Sequence, residues 1–78
     1  MSDYQPIPCA LHSRYELAIL RQDPLIISGT DEAGNTHSQL HCRASDLITE
    51  AGNEYLKTCD RAGIERLFRL DRLTLLAP

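Results

Sequence analysis

His37 and His41 stand four residues apart, a spacing that on a helix would set two imidazoles side by side for one metal ion. Their surroundings read as a strand instead. Ser38, Leu40, Cys42 and Ala44 alternate with His37, Gln39, His41 and Arg43, which gives one apolar face and one wet face. Four strand residues span ~13 Å, too far for a shared ion, so both histidines are expected as solvated surface groups. His12 has no evident partner in sequence and reads as a loop histidine whose protonation could tune a surface contact. Cys9, Cys42 and Cys59 are an odd number of scattered thiols with no Cys-x-x-Cys pair. They are expected as small half-buried hydrophobes in a reducing, cytoplasmic setting. No metal site follows from these residues.

Covalent catalysis would need a nucleophile, a base and an orienting acid brought together. The residue types are present, but there is no Gly-x-Ser-x-Gly, no glycine-rich phosphate loop and no His-Glu-x-x-His. A chain this short also leaves little room for a pocket of ~300 Å³ or more. No catalytic residue, no enzyme activity and no cofactor are expected.

Lys57, Arg61, Arg66, Arg69 and Arg72 form the one basic concentration. They open an alternative reading, a small RNA-binding barrel using Arg66, Arg69 and Arg72. Against it, Asp60, Glu65 and Asp71 are interspersed, and Arg66 and Arg69 fall on opposite faces of a regular strand. Phe68 is expected to point inward, which removes the stacking platform that single strands need. A solvated, salt-laced surface is the favoured reading, with no direct nucleic-acid contact. Ser13 and Glu16 have the spacing of a capping box, a hydroxyl at the helix start and a glutamate three residues on. Asp3, Tyr4 and Asp23 are expected to surround that start.

These residues must be positioned by short elements. Pro6 and Pro8 hold an extended lead-in over residues 1–12. A helix is predicted over 13–22, with Tyr15, Ala18 and Ile19 on its buried face, Leu17 and Leu20 widening the stripe, and Asp23-Pro24 ending it. Residues 25–76 then read as strands: Leu25–Thr30, the alternating run from His37, Glu54–Cys59, Ile64–Leu70 and a closing segment from Asp71 to Leu76. The clusters Asp31–Asn35, Ala51–Asn53 and Asp60–Gly63 supply the turns. One helix and several short antiparallel strands bury a limited apolar inventory best as a small Sm-like or SH3-like β-barrel with the helix packed against it. A five-stranded OB-type barrel is the nearest competitor.

The chain has 78 residues, 24% charged and 42% hydrophobic, with no tryptophan and a single phenylalanine. That is one domain with a thin, mostly aliphatic core. No apolar run approaches the ~18 residues of a membrane span, and Met1-Ser2-Asp3-Tyr4 does not begin a signal peptide. A soluble monomer is expected. Residues 1–35 carry five acids against two arginines, whereas residues 36–78 carry six of each sign. The whole acidic excess therefore lies in the first half, and a basic partner surface suits it better than a phosphate backbone.

Tyr4-Gln5-Pro6-Ile7 followed by Cys9, then Glu16-Leu17-Ala18, Ala44-Ser45-Asp46-Leu47, Glu54-Tyr55-Leu56 and Leu70-Asp71-Arg72-Leu73, resemble in order and spacing the Rof family, small inhibitors of Rho-dependent transcription termination. The resemblance covers nearly the whole chain. It implies an N-terminal helix on an Sm-like barrel and a non-enzymatic role. The partner it implies is the RNA-binding N-terminal domain of the Rho hexamer, where the inhibitor competes with RNA loading. Family members can carry acidic residues between the cysteine and the helix; here the segment is Ala10-Leu11-His12-Ser13. The partner contacts carried over are Ser13 and Glu16 at the helix start, and Glu50 and Asn53 in the loop after Asp46-Leu47.

Overall fold

The computed structural model describes residues 3–77; the first two residues of the predicted lead-in and Pro78 lie outside it. Helix α1 spans Cys9–Arg21, so it begins four residues before the predicted start. Pro8 is the N-cap, and its carbonyl accepts the amides of Leu11 and His12, each at 3.0 Å. A proline has no N–H to lose at this position, and its fixed φ leads directly into the first turn. Ser13 is therefore inside the helix and caps nothing. The Ser-x-x-Glu spacing that suggested a capping box is also the spacing of one exposed helical stripe. Gln22 ends α1 in the left-handed conformation (φ 56°) and ties its side-chain amide to the Ile19 carbonyl at 2.8 Å.

Five strands follow: β1 Pro24–Thr30, β2 Thr36–Glu50, β3 Asn53–Asp60, β4 Glu65–Arg69 and β5 Leu73–Ala77, with a 3₁₀ turn at Leu70–Arg72. The predicted fourth strand thus stops at Arg69, and Leu70-Asp71-Arg72 turns rather than extends. All pairings are antiparallel, in the order β4-β3-β2-β1-β5. Consecutive strands β4 and β5 lie on opposite edges, yet only three residues join them. A flat sheet would place those edges about 19 Å apart, while the four steps from Arg69 to Leu73 reach at most ~14 Å. The sheet must curl. No ladder forms between β4 and β5, however, so among the described residues the sheet stays open rather than closing into the expected barrel.

Bulges in β2 set the curl and the side-chain phase. Ser38 and Gln39 together oppose Ser28, and Ser45 is an extra residue between the pairs Ala44–Thr58 and Asp46–Lys57. Each extra residue reverses the alternation beyond it. Leu47 rather than Asp46 then faces Leu56, and His37 rather than Ser38 turns inward. Gly29 lies where β1 meets the 3₁₀ turn, and a Cβ there would stand 2.6 Å from the Arg72 carbonyl oxygen.

The core gathers Tyr15 and Ala18 from α1 with Leu25, Ile27, Cys42, Ala44, Leu56, Phe68, Leu70 and Leu73. Leu17 and Leu20 do not join it: they remain 43% and 80% exposed. A single helix lying on a sheet buries a narrow face only, and Tyr15 and Ala18 occupy it.

Candidate functional site

His12 organises the face where α1 meets the β2–β3 hairpin. Its Nδ1 lies 3.2 Å from Glu16 Oε1, one turn along the helix, and its Nε2 lies 3.0 Å from Glu54 Oε2 on β3. A neutral imidazole carries one N–H and would turn a lone pair toward the second carboxylate. The imidazolium donates to both. Burial disfavours that charge, but the bonds to Glu16 and Glu54 outweigh it and raise the His12 pKa above its ordinary value. His12 is thus a bridge between two elements rather than a loop residue without a partner. With Pro6, Ile7, Cys9 and Ser13, these side chains line a shallow depression of ≈ 440 Å³.

Ser13 and Glu16 are both exposed, on the same outward stripe of α1 as Leu20. Leu20 is the most exposed of the large hydrophobics; in sequence its apolar side chain counts toward a widened buried stripe, whereas the buried face is narrower and centred on Tyr15 and Ala18. The structure brings the predicted helix contacts Ser13 and Glu16 together with Glu54. It does not bring Glu50 and Asn53 to the same face. These two pair across the turn formed by Ala51 (φ 53°) and Gly52 (φ 82°), one step beyond the Thr49–Glu54 pair. Strand alternation therefore sets them opposite to Glu54. Asn53 Nδ2 donates to the Tyr55 hydroxyl at 3.3 Å, and Glu50 is exposed at the hairpin end.

The arginines of the RNA-binding alternative are engaged elsewhere. Arg69 has 7% of its side chain exposed; it donates to Asp71 from Nε at 3.0 Å and from Nη2 at 2.6 Å, and to Asp3 from Nη1 at 2.8 Å. Its guanidinium also lies 5.7 Å from the centre of the Tyr4 ring, and the Gln5 amide donates to Asp71 at 3.1 Å. These bonds raise the Arg69 pKa further and hold Asp3 below the usual carboxylate range. Asp3 and Tyr4 thus anchor the lead-in to the end of β4. Arg72 reaches Asp3 at 3.3 Å.

Arg66 bridges two turns at the other end of the sheet. It donates to Asp60 at 2.6 Å and lies 3.9 Å from Asp31. Asp60 accepts the amides of Ala62 and Ile64, and Asp31 accepts those of Ala33 and Asn35. His37 Nε2 stands 3.0 Å from Asp31 Oδ2, and its ring meets Phe68 edge-on at 5.7 Å. The expectation of a solvated His37 is overturned by the bulge at Ser38-Gln39, which turns that side chain inward. Both aspartates are held below the usual carboxylate range, Asp31 chiefly by His37 and Asp60 chiefly by Arg66. Neither cluster presents an open ligand set, and no group of three or more metal-ligating side chains occurs among the described residues.

All three cysteines are free. Cys42 is buried, which pushes its thiol up to about 11 and makes it a poor nucleophile. Cys59 is half-buried, and Cys9 is exposed at the first position of α1 rather than half-buried as expected. No described helix is long and apolar enough to cross a membrane. No family model matches the chain, and no curated protein matches it at significant similarity.

Proposed function

We propose that the chain is a non-enzymatic inhibitor of Rho-dependent transcription termination. In this reading it binds the RNA-binding N-terminal domain of Rho and keeps RNA from loading. The observation that carries the proposal is the outward stripe Ser13–Glu16–Leu20 beside Glu54: two carboxylates and an exposed leucine on one helix–hairpin face. A site that receives phosphates is basic, and carboxylates held on a folded surface can take their place. Leu20 supplies apolar area that a polar rim lacks. The engagement of Arg66, Arg69 and Arg72 with carboxylates weighs against the RNA-binding alternative.

Within this proposal Ser13, Glu16, Leu20 and Glu54 form the primary contact, and Glu50 and Asn53 reach the partner from the hairpin end. No cofactor or catalytic step enters, and the protein acts as a cytoplasmic monomer. Calorimetric titration into the isolated RNA-binding domain of Rho, with and without cytidine-rich RNA, tests it. Binding that the RNA abolishes is the expected result. Absence of heat at high concentration, or binding that persists unchanged with RNA present, overturns the assignment.

A further inference from the structure

Helix α1 has two chemically different flanks. Taking 100° per residue, His12 and Glu16 fall on the side toward β3, whereas Arg14, Leu17 and Arg21 fall on the opposite side. On that second side the helix borders a groove of ≈ 180 Å³ floored by Ala18, Leu25 of β1 and Leu75 of β5. Leu17, 43% exposed, forms part of its wall, and Arg14 and Arg21 form its rim. Asp23 sits at the same rim, yet no carboxylate lies within salt-bridge distance of either arginine among the described residues. Among the lysines and arginines, those that pair stabilise turns, strands or the lead-in: Lys57, Arg66, Arg69 and Arg72. Arg14 and Arg21 flank apolar surface instead.

Beyond the groove, β5 is an edge strand. Leu76 is its bulged residue, lying between the pairs Ile26–Ala77 and Ile27–Leu75, and it stays 47% exposed. The same edge strand thus supplies Leu75 to the groove and a second, exposed leucine at Leu76. An arginine pair on the rim disfavours a basic occupant and adds little for a neutral one. The fitting occupant is apolar with flanking negative charge.

We infer that the α1–β5 groove is a docking site for a leucine-bearing acidic peptide segment of a second protein partner, with apolar side chains on Leu17, Leu25 and Leu75 and carboxylates on Arg14 and Arg21. This inference is independent of the Rho reading, because the two surfaces share a helix but no residue.

The test is an amide-resolved NMR titration of the full chain with a synthetic peptide of alternating Leu and Asp, and with its Leu–Lys counterpart. Expected are saturable shifts at Arg14, Leu17, Arg21, Leu25 and the β5 residues with the acidic peptide only. Arg14→Glu together with Arg21→Glu is expected to weaken that binding by about tenfold or more, with the fold retained and a small fall in melting temperature because Arg21 lies in the last turn of α1. The inference is overturned by any of three results: no saturable shift up to about 1 mM peptide, equal binding of the basic peptide, or shifts confined to Ser13, Glu16 and Glu54. Concentration-dependent shifts of the same groove residues without peptide would assign the site to a second copy and overturn it equally.

Discussion

His12 donates from both ring nitrogens only as the imidazolium, so the link between α1 and β3 depends on pH. Its folded-state pKa is raised. The stability it contributes is therefore fully present below the ordinary histidine value of ~6.5 and is lost as pH rises through the higher folded value. The difference in urea midpoint between the parent and His12→Gln is expected to be largest below the ordinary histidine value of ~6.5 and to shrink as pH rises through the higher folded value; a difference that grows with pH contradicts the bridge. The aspartates act in the opposite direction. Asp3, Asp31, Asp60 and Asp71 lie below their ordinary value of 3.8, so their contribution holds above it and is lost as pH falls through the folded values. Tyr15 is a different case. Its hydroxyl is fully buried with no hydrogen-bond partner among the described residues, and burial pushes its pKa up to about 12. Removing an unsatisfied buried hydroxyl is neutral or favourable, so Tyr15→Phe is expected to stabilise the fold by up to ~1 kcal/mol in urea denaturation. A loss of 1 kcal/mol or more would mean that the hydroxyl has a partner.

At the scale of elements, the turns were legible and the bends were not. Asp31–Asn35 and Asp60–Gly63 announce themselves by composition, and each aspartate does accept the amides that follow it. The bulges at Ser38-Gln39 and Ser45 carry no such mark, since serine and glutamine fit a regular wet face equally well. For that reason His37 was read on the wrong face while Leu40, Cys42 and Ala44 were read correctly. Helix placement failed for a related reason: Ser13-x-x-Glu16 is ambiguous between a cap and an exposed stripe, and Pro8 decided it. The curl leaves its own test at Gly29. A methyl there meets the backbone oxygen of Arg72 at 2.6 Å, and backbone cannot rotate away as a side chain can. Gly29→Ala is expected to destabilise by ~2 kcal/mol in urea denaturation. A change below about 0.5 kcal/mol would indicate that β1 and the 3₁₀ turn approach less closely.

For the whole molecule, the acidic excess of the first half was legible as a sum but not as a surface. Asp3, although 74% exposed, is taken up by Arg69 66 residues away, the buried Asp31 is taken up by His37 6 residues away, and only folding reveals that Glu16 stays outward beside the half-buried Glu54 of the second half. Long-range ion pairs cannot be read from spacing, because any arginine could have taken any aspartate. What results is a helix with one acidic and one basic flank, and the two flanks should be separable by mutation. In the proposed complex with Rho, Glu16→Lys would replace an attractive charge with a repulsive one opposite a phosphate-binding site, while the 60% exposed side chain leaves the core untouched. It is expected to weaken binding to the RNA-binding domain of Rho about tenfold or more in moderate salt, with the fold retained and only the modest loss of melting temperature that follows from breaking the Glu16–His12 contact. Arg14→Glu with Arg21→Glu touches none of the proposed Rho contacts and adds negative charge, so it should not weaken that binding. If the arginine pair instead weakens Rho binding as much as Glu16→Lys does, the helix presents one continuous contact rather than two. In that case the partner approaches along the helix axis, over Ser13 and Leu20, rather than from the hairpin side.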